Sequence, residues 1–236
     1  MAEQLYARLE LLNSERHKNL RVKPLQKFEK FKNLNSCVIL VTEFFEAAKY
    51  YPLVFSLSPR NEYLPVAILG ADNNAFVQED GFWREGFYIP AFVRRYPFIF
   101  VEDIEKGEKE KRFFLAIDRE AENLSENEGE RLFDEEGKET QFLQGIKQFL
   151  LNYDRDFQIT KQFVDELEKL ELFRNIEATV KSKDGKIVVI KNLLAVDEDK
   201  FHRLSDEKVV DLFRKGYLGA VQAHLMSLTN FSRIIK

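Results

Sequence analysis

The sequence predicts an α+β fold: an antiparallel β-rich amino-terminal half, and a helical carboxyl-terminal half containing one hairpin. Three observations carry this. Short apolar runs rich in β-branched and aromatic residues, separated by turn residues, fill residues 53–117. Apolar positions at helical spacing take over from residue 141. Between them Asp118–Thr140 holds ten acidic and three basic side chains, a composition that suits a surface or a connection rather than a core.

In the first half, Leu5, Leu9 and Leu12 recur at helical spacing and predict a short amphipathic helix within Ala2–Glu15. Arg21–Asn35 is polar and basic and reads as irregular cover. Cys37–Val41 is β-like. Thr42 then offers a cap, with Glu43 at the positive end of a helix over Glu43–Tyr50, stopped before Pro52. Leu53–Leu57 and Leu64–Leu69 flank Ser58-Pro59-Arg60-Asn61 as a hairpin. Ala75–Val77 and Phe82–Trp83 flank an Asp-Gly turn. Phe98–Val101 and Phe113–Ile117, joined by the charged Glu102–Arg112, make a second hairpin.

Within the acidic stretch only Leu124, Leu132 and Phe133 are large and apolar, so Leu132-Phe133 should pin it to the body. Phe142, Leu143, Ile146, Phe149 and Leu150 then form one helical stripe, capped by Thr140. Thr160 caps a second helix with Phe163, Val164, Leu167 and Leu170. Ile176–Val180 and Ile187–Ile190 close on Lys183-Asp184-Gly185-Lys186 as the clearest hairpin in the chain. Ser205 starts a helix that stops at Gly216, and Leu218, Val221, Leu225 and Leu228 mark a last one. The expected organisation is one domain over 1–236, with a sub-division into a β-rich 1–118, an acidic 119–140 and a helix-rich 141–236. The alternative is two domains divided near Asn123.

Composition bounds the class. The chain has 236 residues, 44% apolar and 32% charged, with 22 phenylalanines and a net charge of −4, so it can bury a real core and is not globally disordered. The one cysteine, Cys37, lies in an apolar run. It cannot form an intramolecular disulfide and reads as an inert core thiol. No window supplies the ~20 apolar residues of a membrane span. Met1–Lys23 is charged throughout, without an apolar signal region, so the expected location is the cytoplasm. The modest basic surplus of Met1–Lys32, eight basic against four acidic groups, is a solvated face rather than a nucleic-acid footprint.

The segment with the strongest chemical character is Gly81–Val101. It carries the only tryptophan, Trp83, then Tyr88, Phe92, Arg94 and Arg95, bracketed by Pro90 and Pro97. Pro90 suits the start of a helix and Tyr96 is kept from helical geometry by Pro97, so Ala91–Arg95 forms little more than one turn. Adjacent arginines on such a turn diverge by roughly a quarter-circle, so they serve as two separate groups rather than one clamp. These five residues read either as an aromatic and arginine-lined recognition surface or as a core plug.

No residue pattern names a reaction. The glycine loops for phosphate and the G-x-S-x-G elbow are missing. His17, His202 and His224 show no metal spacing, so no metal, cofactor or catalytic residue is assigned. His224, on an apolar helix, reads as a structural histidine, whereas His17 and His202 read as solvated. Asp118, at a strand end, is the acid best placed to face a pocket. Asp134, Glu135 and Glu136 read as solvated.

The motifs Tyr51-Pro52-Leu53-Val54-Phe55, Pro65-Val66-Ala67-Ile68-Leu69-Gly70 and Asn74-Ala75-Phe76-Val77 recur together with Tyr88-Ile89-Pro90-Ala91-Phe92-Val93-Arg94-Arg95-Tyr96-Pro97-Phe98. With Gly129-Glu130-Arg131-Leu132-Phe133-Asp134, Val196-Asp197-Glu198 and Ala223-His224-Leu225-Met226-Ser227-Leu228, they make the chain resemble the SapC family of bacterial proteins. The resemblance implies a link to bacterial surface layers and, through labels in the family, to peptide transport; it implies no catalytic residues. A permease needs membrane spans, and none is visible. The expectation is therefore a non-catalytic binding or assembly factor, with a protein partner or surface-layer component. The alternative is a small-molecule-binding protein or enzyme using Trp83, Tyr88, Phe92, Arg94 and Arg95.

Overall fold

The computed structural model describes residues 5–58, 61–103, 112–181 and 187–234. In chain order the first half has β1 (Leu9–Leu11), β2 (Arg21–Val22), β3 (Ser36–Val38), α1 (Phe44–Ala47), β4 (Leu53–Leu57), β5 (Tyr63–Ile68), α2 (Ala91–Arg94), β6 (Phe98–Asp103) and β7 (Arg112–Asp118). The second half has β8 (Leu124–Ser125), β9 (Glu130–Arg131), α3 (Gln141–Lys169), β10 (Phe173–Lys181), β11 (Ile187–Val196), α4 (Glu198–His202), α5 (Asp206–Arg214) and α6 (Tyr217–Ser227). All strand pairing is antiparallel and most helical residues fall in the second half, so the fold is α+β. The expected turn residues 59–60 and 183–186, and most of the Glu102–Arg112 connection, lie outside the described residues.

The chain groups into two compact units. Unit 1 is Met1–Lys27 with Val93–Asp154, and unit 2 is Phe28–Phe92 with Arg155–Lys236. In unit 1 the strands run β1-β7-β6 in one sheet and β8-β2-β9 in another. Leu20, Val22, Phe98, Ile117, Leu132, Phe133, Leu143 and Leu150 form its buried core. Alternation explains the larger sheet. Phe98, Phe100, Leu115 and Ile117 pair across β6 and β7 and point to one face, which is the core face.

Four expectations for these elements change. Leu9–Leu11 is a strand, not part of a helix, because it pairs with Ala116–Asp118 of β7. Asp118 accepts the Ala7 and Arg8 backbone N–H groups at 3.1 and 3.0 Å and fixes the bend that leads into β1. The acidic stretch contributes β8 and β9, which clasp β2 from both sides. Leu132 and Phe133 anchor it as expected. The two predicted helices of 141–170 are one helix of 29 residues. Thr140 caps it, accepting Leu143 N–H at 3.3 Å. Thr160 does not end it. Its hydroxyl instead donates back to the Asp156 carbonyl at 2.7 Å and accepts Val41 N–H at 2.9 Å.

Unit 2 is built on the sheet β10-β11-β4-β5-β3. The predicted hairpins β4–β5 and β10–β11 both form, the second longer than its apolar runs and carrying a bulge between Ile176 and Ala178. Val54, Val66, Ile68, Ala178, Leu193 and Ile234 make one core cluster. Phe163 sits edge-on to Phe44 and Tyr217. Cys37 is buried, as its apolar setting predicted. The helix expected over Glu43–Tyr50 is only Phe44–Ala47 after a 3-10 turn. Thr42 does not cap it; its hydroxyl donates to Asp156 at 3.2 Å. Asp197 caps α4 by accepting Lys200 N–H.

Candidate functional site

The α2 turn ends at Arg94, and the Tyr96–Pro97 peptide that follows is cis. The two arginines fan apart, as a single turn requires. Arg94 is exposed and lies 5.4 Å from the Phe149 ring centre; Arg95 is half-buried and lies 4.8 Å from that of Tyr153. The two rings are one turn apart on α3, so the helix offers each guanidinium its own aromatic seat. Tyr96 turns inward and donates its hydroxyl to Asp118 at 3.1 Å. Burial, reinforced by the Asp118 charge, holds the Tyr96 phenol well above its ordinary pKa.

Arg94 and Arg95 line a cleft of about 480 Å³ in unit 1. One wall comes from the first two turns of α3, through Phe142, Gly145, Ile146 and Phe149; Tyr96, Pro97 and Phe98 form another, and Val22–Leu25 with Asn123 complete it. The predicted apolar stripe of α3 therefore divides. Leu143 and Leu150 enter the core, while Phe142, Ile146 and Phe149 are partly exposed and line the cleft. A Cβ added at Gly145 would meet nothing within 4 Å, so bare helix backbone forms part of the lining. A second cleft of about 390 Å³ shares Lys23, Pro24, Leu25 and Asn123 with the first and brings in Glu122 and Glu128. Asn123 fixes the shared wall. Its backbone carbonyl accepts Lys23 N–H at 2.8 Å and its amide donates to the Lys23 carbonyl at 3.1 Å.

Among the described residues, the lining of the larger cleft holds three cations, Lys23, Arg94 and Arg95, and no carboxylate, histidine, cysteine, serine or threonine. Lys23 Nζ also lies 3.8 Å from a carboxylate oxygen of Glu128, which lines the second cleft. The one hydroxyl among the larger cleft's described residues, on Tyr96, already donates to Asp118. Such a lining attracts an anion and an apolar body together. It offers no nucleophile paired with a base.

Asp118 does not present itself to a pocket. It is fully buried, and besides Tyr96 it accepts N–H groups from Ala7, Arg8 and Glu120. Its strand-end position serves to tie the amino-terminal segment and the Tyr96 turn to β7. His17 is not solvated either. It is buried, with Nδ1 3.0 Å from both the backbone N and O of Asn13 and Nε2 3.5 Å from a Glu10 carboxylate oxygen. A flanking arginine and lysine concealed this, because charge in the neighbours says nothing about where one ring points.

Trp83, Tyr88 and Phe92 belong to unit 2. Trp83 is buried edge-on to Phe28 at 5.5 Å and stacked on Phe76 at 6.4 Å, and Phe92 is buried. Tyr88 donates to Glu43 Oε1 at 2.6 Å, and Ala91 N–H donates to the same oxygen at 2.7 Å. Glu43 Oε2 accepts Leu40 N–H at 3.0 Å. Glu43 is thus a buried carboxylate that pins the 88–91 backbone, a role no local pattern announced.

His224 is fully buried on α6 in unit 2. Its Nε2 accepts Val196 N–H at 3.0 Å, which leaves Nδ1 to donate to the Leu53 carbonyl at 2.8 Å. One neutral tautomer therefore ties α6 to β11 and β4. Desolvation lowers its pKa from 6.5 to about 4; the Leu53 bond opposes this and the Arg174 charge adds to it. The structural reading of this histidine holds. His202 is exposed, as expected.

A family model described as SapC matches residues 12–234. The chain belongs to the SapC family. No curated protein and no solved structure matches it. Among the described residues of this SapC chain, no cluster of three or more His, Cys, Asp or Glu side chains could hold a metal ion, and no helix is long and apolar enough to cross a membrane.

Proposed function

We propose that this SapC chain is a non-catalytic binding or assembly factor that holds its ligand in the unit 1 cleft. The observation that carries this is the cleft's lining: among the described residues it holds three cations and a wall of aromatic and aliphatic groups, without a carboxylate, histidine, cysteine, serine or threonine. The buried polar residues elsewhere support the same reading. Asp118, Glu43 and His224 each hydrogen-bond backbone groups, and Asp118 and Glu43 also tyrosine hydroxyls, as structural residues do. Arg94 is the recognition residue, because it is exposed at the cleft. Arg95 is the positioning neighbour, held on Tyr153. Trp83, Tyr88 and Phe92 take a structural role in unit 2.

The setting we propose is assembly of the bacterial surface layer, a reading supported by the family resemblance alone. A cytoplasmic location is part of the proposal, supported by a lone buried Cys37 that makes no disulfide. Protease treatment of intact cells, followed by fractionation, tests it; digestion of the protein on intact cells rejects it. For the binding itself, native mass spectrometry of protein purified from its own lysate is the direct assay. A discrete added mass in the wild type that disappears in Arg94→Ala, with Tm preserved, supports the reading. The same spectrum for both proteins defeats it.

The cleft volume favours a second reading, a small-molecule ligand rather than a protein segment, since about 480 Å³ lies within the range of such pockets.

A further inference from the structure

The cleft has a feature that its charge does not explain. Gly145 lies inside α3, as its fifth residue. Glycine in a helix interior costs about 0.5–1 kcal/mol relative to alanine. Usually a positive φ or a tight packing partner accounts for such a residue. Neither applies here, since Gly145 is not among the positive-φ glycines and a Cβ there would stand in open space. The space it leaves is the cleft. Phe142 and Phe149 flank it at one turn or less, and Ile146 adjoins it. Across the cleft stand Pro97 and Phe98, and Arg94 sits over Phe149.

We propose that the cleft takes an amphiphilic anion, its apolar body lying on the bare α3 backbone at Gly145 between Phe142 and Phe149, its anionic group at the Arg94 guanidinium. This rests on the binding reading above and names the ligand class for it. Charge decides the sign of the headgroup, because the described lining carries the multi-donor guanidinium forks of Arg94 and Arg95 beside Lys23, whose Nζ lies 3.8 Å from Glu128. Shape decides the body. Any side chain at residue 145 would project into the volume that the ligand fills, so Gly145 sets specificity by absence. Asn123 and Lys23, bound to each other through backbone and side chain, keep the opposite wall in place. An aromatic sulfonate or carboxylate and a straight-chain carboxylate share this chemistry, and the test separates them.

The experiment is equilibrium titration of the full chain with anilinonaphthalene sulfonate and, separately, with dodecanoate. Phenylnaphthylamine and dodecanol serve as their uncharged counterparts. Wild type, Gly145→Ala, Gly145→Leu and Arg94→Ala are compared, with Tm measured for each. The expected result is saturable one-to-one binding of at least one anion and binding weaker by about tenfold or more for its uncharged counterpart. Gly145→Leu and Arg94→Ala should each weaken the anion by about tenfold or more, with Gly145→Ala in between. Gly145→Leu should fold with a Tm at or above wild type, since leucine is a better helix former. Preference for the sulfonate assigns a ring ligand; preference for dodecanoate assigns a chain. If Arg94→Ala loses binding while Gly145→Leu keeps it, the placement on α3 is wrong and the binding reading survives. If neither anion binds wild type, or if both variants match it, both fall. Association with phosphatidylglycerol vesicles but with neither free anion would replace the small ligand by a membrane surface and overturn the proposal.

Discussion

Acid should destabilise unit 2 through His224, and the size of the effect follows from its surroundings. In the folded chain the imidazole is neutral, accepting from Val196 N–H and donating to Leu53. A second proton would place N–H against N–H at Val196 and put a charge beside the Phe55 ring, whose centre lies 5.0 Å away. The folded pKa is about 4 and the ordinary value is 6.5. A depressed pKa means that the unfolded state binds the proton more tightly. The His224 contribution is therefore complete above pH 6.5 and is lost as pH falls toward 4. Each pKa unit corresponds to about 1.4 kcal/mol, so the loss reaches roughly 2 kcal/mol by pH 5 and roughly 3 kcal/mol by pH 4. At ~2–4 °C per kcal/mol for a protein of this size, Tm should fall by about 4–8 °C between pH 7.5 and pH 5 from this residue alone. Carboxylates titrate over the same range, so the comparison is with His224→Gln, whose Tm should start lower and lose this part of the pH dependence. A direct check is the proton NMR titration of the three imidazoles, in which the His224 ring should stay neutral until below about pH 5. A His224 resonance that titrates near 6.5, or equal pH slopes for wild type and variant, would refute the argument.

Three further outcomes follow from single atoms. Gly129→Ala should destabilise unit 1 by about 2 kcal/mol or more, because φ is +100° and the new Cβ would fall 2.5 Å from the Val22 carbonyl oxygen; a urea midpoint within error of wild type would contradict this. Thr160→Val should cost about 1–3 kcal/mol by leaving Val41 N–H buried without its acceptor, while Thr160→Ser should stay within ~1 kcal/mol; the pair is read by chemical denaturation, and equal losses would mean that packing rather than the hydroxyl matters. Asp118→Asn should cost on the order of 3 kcal/mol, since its NH2 must replace either Oδ1, which accepts from Arg8 and Glu120 N–H, or Oδ2, which accepts from Ala7 N–H and the Tyr96 hydroxyl, and so sets donor against donor on one side; a Tm change under about 2 °C would reject that role.

What was legible in the sequence is local. The hairpins β4–β5, β6–β7 and β10–β11, the one-turn α2 and the α3 cap at Thr140 each depend on residues near one another in the chain. Alternation, a proline or a hydroxyl suffices to specify them. So does the divergence of Arg94 and Arg95, which follows from the geometry of a single turn. Local patterns also misled where distant groups intervene. Leu5, Leu9 and Leu12 have helical spacing, yet β7 supplies a ladder for Leu9–Leu11 and Asp118 takes the N–H groups that precede it. Thr160 resembles a cap, but Val41, 119 residues away, uses its hydroxyl mid-helix.

The site shows the same division more sharply. The order and spacing of residues established an α+β chain without a reaction motif and with a proline-bracketed arginine pair, and composition established a phenylalanine-rich core. Its motifs placed it in the SapC family. Only the tertiary structure gave Phe142 and Phe149 to a cleft while sending Leu143 and Leu150 to the core, since both pairs share one apolar stripe and differ only in what packs opposite. Only it drew Lys23 and Asn123, 100 residues apart, into one wall. Burial of His17, Glu43 and Asp118 was equally invisible beforehand. A side chain's charge and neighbours fix its chemistry, but its exposure is set by segments far along the chain, and those meet only when the chain has folded.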